Sequence, residues 1–120
     1  MKRVLITGSN SYIGTSFEKW LKKYNNKYFI RTIDMTDPSW KDNDFSQFDV
    51  VFHVAGIAHI SSNPKMEDLY YSVNRDLTIE TAKKAKLNGV KQFIFMSSII
   101  VYGDSSPFNC KRVIDMNTIP

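Results

Sequence analysis

Cysteine is nearly absent: Cys110 is alone among 120 residues, which excludes an internal disulfide and a zinc site built on several thiolates. Cys110 also sits in a polar stretch with no activating base nearby, so a nucleophilic thiol is not expected. Histidine is as scarce. His53 and His59 stand six apart with no third ligand at a metal-binding spacing, so no metal is expected. No apolar run approaches the roughly 18 residues of a membrane helix. The most apolar stretch, Phe93 to Met96 and Ile99 to Val101, is broken by Ser97 and Ser98. After Met1-Lys2-Arg3 only three apolar residues precede Thr7-Gly8, too few for a secretory leader, and a cytoplasmic location is expected. Five glycines and four prolines form no linker or low-complexity tract.

The net charge of +4 invites a nucleic-acid reading, but the lysines argue against it. Lys19, Lys22, Lys23 and Lys27 in one stretch, and Lys83, Lys84, Lys86 and Lys91 in another, are interleaved with core-type residues as on solvated helix faces. No helix-turn-helix or aromatic RNA-binding signature accompanies them. With 42% apolar and 23% charged residues, an ordinary one-domain globular chain is expected, with neither nucleic acid nor membrane as a partner.

Strands and helices alternate. Arg3 to Ile6 is a short apolar run bounded by Thr7-Gly8, the pattern of a buried parallel strand. Tyr12 to Lys23 places Ile13, Phe17, Trp20 and Leu21 on one helical face. Tyr28 to Ile33 is rich in aromatic and β-branched residues, a second strand ending at Asp34. Asp37-Pro38 breaks it, and Ser39 to Phe48 is too polar for more than a helical turn or two. Val50 to Gly56 forms the third strand, and Lys65 to Asn88 has helical spacing at Leu69, Val73, Leu77 and Ala85. Asn88-Gly89 stops that helix, and Lys91 to Met96 is the fourth strand. Periodicity assigns Phe17, Trp20, Phe93 and Phe95 to the core. The class is α/β, with a parallel sheet in the order second, first, third, fourth strand and helices on both faces.

Thr7 to Gly14 lies between the first strand and the first helix, where backbone N–H groups and the positive end of a helix favour a pyrophosphate. Gly8 allows the tight turn and Gly14 close packing of helix on sheet. Ser11 stands where a fingerprint glycine is usual, with a hydroxyl to donate instead. Asp34, 26 residues after Gly8, suits the two ribose hydroxyls of an adenosine and repels a 2′-phosphate, which favours NAD over NADP. The same aspartate also fits a plain turn cap.

Four segments resemble the extended short-chain dehydrogenase/reductase family, the NAD-dependent epimerase/dehydratase group that acts on nucleotide sugars. They are Thr7-Gly8 through Gly14, Asp49 through Gly56, Tyr71-Ser72-Val73-Asn74, and Phe93 through Gly103. The resemblance implies a Rossmann-like sheet and NAD as cofactor. It places Gly8, Ser11, Tyr12, Ile13 and Gly14 around the pyrophosphate, Asp34 on the adenosine side, and Val54, Ala55 and Gly56 against the cofactor. It sets Asn74 toward the nicotinamide side and counts Ser97 among the cofactor-binding residues. Ser98 matches the catalytic hydroxyl that positions the substrate oxygen. By residue type alone, Ser97 and Ser98 are equally small residues ending a buried strand.

Three departures shape the expectation. The family's Tyr-x-x-x-Lys base is missing: four residues after Tyr12, Tyr24, Tyr28, Tyr70, Tyr71 and Tyr102 stand Ser16, Tyr28, Thr32, Asn74, Arg75 and Ser106. The chain therefore looks like the truncated N-terminal part of a longer enzyme. Ile99-Ile100 replace the Asp-Glu pair of sugar dehydratases, which favours an epimerase or simple oxidoreductase. Only 15 residues separate Asp34 from Asp49, so Asp34-Met35 also fits the family's acidic-apolar pair that contacts adenine. The expected function is the NAD-binding portion of a UDP-glucose 4-epimerase-like enzyme, inactive alone and binding NAD weakly, with a nucleotide sugar as the parent's substrate. The alternative is a non-catalytic dinucleotide-binding module. Self-association is expected, through the edge of the fourth strand or by exchange of the tail from Gly103.

Overall fold

Short β-branched and aromatic runs that are apolar on both faces can only be satisfied between two layers, and the chain builds that sandwich. The computed structural model describes residues 1–57, 66–98 and 113–119. Four strands, β1 (Lys2–Thr7), β2 (Tyr28–Ile33), β3 (Val50–His53) and β4 (Gln92–Phe95), form one sheet in the order β2-β1-β3-β4. Every pairing is parallel, with Thr7 opposite both Ile33 and His53, and His53 opposite Phe95. The order is the one the right-handed crossover rule gives from the sequence, and the class is α/β and Rossmann-like.

Alternation along the strands sorts the core into two layers. Val4, Ile6, Val50 and Phe52 pack with Leu21 and Phe17 of α1 (Tyr12–Lys22). Leu5, Val51 and Ile33 pack on the other face with Ala85 of α3 (Thr78–Leu87). The long helix that contains α3 is not uniform. It opens with α2 (Glu67–Tyr70), continues as a π-helical turn (Tyr71–Leu77) and only then becomes α3. Asn88 caps its end, and Gly89 at φ 75° turns the chain out, the left-handed conformation glycine adopts at low cost.

Ser39 to Phe48 holds no more helix than its polarity predicts, yet it is part of the core. It makes a single 3₁₀ turn (Pro38–Asp42) capped by Asp37, and it drives Trp40, Phe45 and Phe48 into the core, Phe45 fully buried. The segment is tied to the long helix by Lys84 Nζ donating to the Lys41 carbonyl (2.7 Å) and by Phe45 N donating to Asn88 Oδ1 (3.0 Å). Conversely, Trp20 and Phe95, assigned to the core by periodicity, are half exposed. Trp20 lies on the outer flank of α1 between Phe17 and Tyr24, and Phe95 lies on the outermost strand. β3 is also shorter than expected. It ends at His53 because Val54 N donates to Thr7 Oγ1 (3.3 Å) and leaves the ladder. Among the described residues no helix is long and apolar enough to cross a membrane.

Candidate functional site

All four strands point their carboxyl ends to one edge, and β1 and β3 are the neighbours whose connections depart to opposite faces. Such a switch point opens a crevice. The glycine loop closes its floor. Gly8, at φ 85°, lets the amides of both Gly8 and Ser9 donate to the Ile33 carbonyl (3.0 Å each), which ties the loop to the end of β2. A side chain at Gly8 would stand 3.1 Å from Ala55 N, so the glycine also admits the backbone after β3. Ser11 is the N-cap of α1, its Oγ accepting from Gly14 N at 3.0 Å, with Thr15 N donating to its carbonyl at 2.9 Å. The amides of Tyr12 and Ile13 have no acceptor among the described residues. These two donors, at the positive end of an 11-residue helix with no acidic residue in its first turn, suit an anion.

Above the loop lies a cleft of about 780 Å³, within the size range of a cofactor site. Gly8, Ser11, Asp34, Met35, Ala55 and Gly56 of the sequence-derived set all line it. Asp34 sits just past β2, and its Oδ1 accepts from Thr36 N (2.9 Å) and Thr36 Oγ1 (2.7 Å). Those bonds hold its carboxyl below the usual carboxylate range, so it is ionised at neutral pH. It is thus a turn cap and a cleft residue at once, and the two readings of Asp34 are not exclusive. Met35 is buried, its side chain joining the core beneath the cleft.

The remaining residues of the set stand outside the lining. Tyr12 and Ile13 expose their side chains on the first turn of α1 and offer only backbone amides. Gly14 is buried, and a Cβ there would meet Ser11 Oγ at 2.6 Å and Val54 Cγ2 at 3.1 Å. Val54 is therefore helix packing. Asn74 is exposed outside the lining, where its Oδ1 accepts from Ile57 N (2.8 Å) and its Nδ2 donates to Ile57 O (3.1 Å). Ser97 and Ser98 follow β4 at the same edge of the sheet and are exposed. The isoleucines at 99 and 100, with His59, Cys110 and the start of the tail, lie outside the described residues. Among the described residues no group of His, Cys, Asp or Glu has the geometry to hold a metal.

Part of the site escaped sequence reasoning. The wall opposite the loop comes from the long helix (Leu69, Ser72, Val73, Asp76) and from Pro38 and Trp40 of the 3₁₀ turn. Spacing at Leu69, Val73 and Leu77 marked that helical face, but nothing local said it would front a cleft. His53 is fully buried between Thr7 Oγ1 at Nδ1 (2.7 Å) and Thr78 Oγ1 at Nε2 (3.0 Å), and it stacks on Phe93 and Phe95. Burial depresses its pKa to about 4, so the ring is neutral at physiological pH.

A switch-point crevice above a capped glycine loop is the arrangement in which doubly wound α/β proteins hold dinucleotides, and comparison with known proteins narrows the class. The chain belongs to the NAD dependent epimerase/dehydratase family, whose profile matches residues 4–118. It is 31% identical over 137 aligned positions to UDP-glucose 4-epimerase from Vibrio cholerae, covering 99% of this chain and 42% of that protein. Among solved structures it is similar to UDP-glucuronic acid 4-epimerase from Bacillus cereus, bound to UDP-4-deoxy-4-fluoro-glucuronic acid and NAD. That match has a TM-score of 0.75 at 22% identity over 98% of this chain and 45% of the other. It is also similar to dTDP-4-dehydrorhamnose reductase from Bacillus anthracis in complex with NADP, with TM-score 0.60 and 25% identity over 77% of this chain and 35% of the other. The chain thus spans less than half the length of each of these three proteins.

Proposed function

We propose that this chain is the NAD-binding part of an enzyme that acts on nucleotide sugars by hydride transfer, in the manner of a UDP-glucose 4-epimerase, and that it has no turnover alone. The observation that carries the reading is one cleft lined by both the glycine loop and the ionised Asp34, next to a helix end whose Tyr12 and Ile13 amides have no acceptor among the described residues. The residues present fit a dinucleotide. Tyr12 and Ile13 amides, with the Ser11 hydroxyl, hold the pyrophosphate. Asp34 accepts the ribose hydroxyls and disfavours a 2′-phosphate, with Met35 beside the adenine. Gly8, Gly14, Ala55 and Gly56 supply close backbone approach, since a Cβ at Gly8 or Gly14 would meet atoms within 3.1 Å. Asn74 acts through the Ile57 backbone.

NAD, when bound, supplies the hydride acceptor and donor. The chain's own contribution to the reacting end is Ser98, with Ser97, at the carboxyl edge of β4, where a hydroxyl orients a sugar oxygen. No tyrosine here has a lysine four residues on, and a positioned general base is worth about 10²- to 10⁴-fold in rate. The second reading is a non-catalytic dinucleotide-binding module, and a Tyr-x-x-x-Lys following in the parent reading frame separates the two. β4 leaves its outer edge unpaired among the described residues with Ile94, Phe95 and Met96 exposed, which favours self-association. Calorimetry with NAD and with NADP tests the cofactor assignment: NAD binds more tightly, and tighter NADP binding refutes the role of Asp34. Light scattering at micromolar concentration reports the assembly, and a strict monomer counts against the edge.

A further inference from the structure

His53 forms part of a hydrogen-bonded line whose polarity the geometry dictates. The Thr78 hydroxyl donates to the Asn74 carbonyl at 3.1 Å, because a carbonyl only accepts. Its oxygen therefore accepts from His53 Nε2 at 3.0 Å, so the ring carries its proton on Nε2. Nδ1 is then a lone pair, and Thr7 Oγ1 donates to it at 2.7 Å. The Thr7 oxygen in turn accepts from Val54 N at 3.3 Å. The four donors along Val54, Thr7, His53 and Thr78 each donate once, all in one direction toward the Asn74 carbonyl. The line is buried at Thr7 and His53 and reaches the surface at Asn74; loss of a member at its buried end leaves a desolvated group behind.

The line ends on the π-helical turn, a distortion of the helix that recurs at functional sites. Asn74 belongs to that turn, and its side chain makes both hydrogen bonds to the Ile57 backbone. Gly56 lies directly under it: a Cβ there would stand 3.2 Å from Asn74 Oδ1. Ala55, Gly56 and Ile57 form one wall of the cleft. The register of that wall against the glycine loop is thus set by contacts that run from the end of β1, through His53, to the long helix.

We propose that His53 and Thr78 are positioning residues of the cleft: as the Nε2–H tautomer between two threonine hydroxyls, His53 holds the π turn in register with β1, so that Asn74 clamps the wall at Ile57. The proposal rests on the cleft being the dinucleotide site, and it concerns the half of that site away from Asp34.

Long-range ¹H–¹⁵N spectra of the chain, with His59→Gln to assign the rings, show His53 protonated on Nε2. Thr78→Val removes both the acceptor and the donor at one volume. It lowers the exchange protection of the Ile57 amide about tenfold and weakens NAD binding about tenfold, the factor that accompanies one net hydrogen bond. Binding of AMP, a probe that reaches only the Asp34 end, is unchanged by NMR titration. Thr78→Ser, which keeps the hydroxyl, restores both losses. A wild-type ring protonated on Nδ1 overturns the proposal. So does a Thr78→Val chain with unchanged Ile57 exchange, or one that loses NAD and AMP binding alike without recovery in Thr78→Ser. A wild-type chain that binds no NAD refutes the proposed function, and the tautomer and the Ile57 exchange still decide the positioning role.

Discussion

Replacing Gly14 by alanine sets two effects of opposite sign against each other. In a helix interior Gly→Ala stabilises by about 1 kcal/mol, because alanine loses less backbone freedom on folding. Gly14 lies in the first turn of α1, however, and a Cβ there would be 2.6 Å from Ser11 Oγ, 3.0 Å from the Gly8 carbonyl and 3.1 Å from Val54 Cγ2. Real Cβ atoms do not approach an oxygen to 2.6 Å, so Ser11 must rotate away and release Gly14 N. Losing an N-cap costs about 1 kcal/mol. The other two neighbours are the loop backbone and a packed valine, which yield less easily, and overpacking of that kind costs about 1–3 kcal/mol. The balance predicts a net destabilisation of about 1–3 kcal/mol despite the better helix former. Urea unfolding at pH 7 measures it. A double-mutant cycle with Ser11→Ala isolates the cap: the alanine at 14 costs about 1 kcal/mol less once the serine oxygen is gone. If Gly14→Ala matches or exceeds the wild type in stability, the reasoning fails, because Ser11 and the loop would have moved aside without cost.

The buried His53 makes the fold acid-sensitive above the carboxylate range. Its folded pKa of about 4 lies below the ordinary 6.5, so the unfolded chain takes up the proton first. Stability therefore falls as pH drops from about 6.5 to about 4, by up to about 3 kcal/mol, and this group contributes no further loss below that window. Asp34, Asp44 and Asp76, all held below the usual carboxylate range by hydrogen bonds, lose their contribution only as pH falls through and below 3.8. Urea midpoints between pH 7 and pH 4.5 should slope in the wild type and flatten in His53→Gln; equal slopes would falsify the assignment. Phe45→Ala, at a fully buried ring between the sheet and the long helix, should cost about 3–5 kcal/mol, a large share of a small domain's stability. A loss under about 1 kcal/mol in the same assay would show that the 3₁₀ segment is not part of the core.

Local patterns determined much of this protein. The four apolar runs, the helical spacing after the glycine loop and the Asn88-Gly89 stop each depend on residues a few positions apart. The parallel order then follows from handedness. The glycine loop was legible for the same reason: Gly8, Ser11 and Gly14 act within one short stretch of backbone, and β2 ends at Ile33, directly before Asp34, as its composition predicts. Other features join residues that the chain keeps far apart and only parallel pairing makes neighbours. Thr7 and His53 are 46 positions apart, yet register sets them side by side and lets a threonine hydroxyl end β3 early. Trp40, Phe45 and Phe48 sit among polar residues with no periodicity, so their burial was decided by the face of the sheet left open beside the long helix. Trp20 shows the converse, since periodicity placed it on the apolar stripe of α1 while its ring packs only along the helix, against Phe17 and Tyr24, and stays half in water. Asn74 was legible as a residue type but not in its partner. Its two bonds to Ile57 exist because the π turn brings the long helix over the end of β3, a meeting between segments 17 residues apart that no window of local sequence encodes.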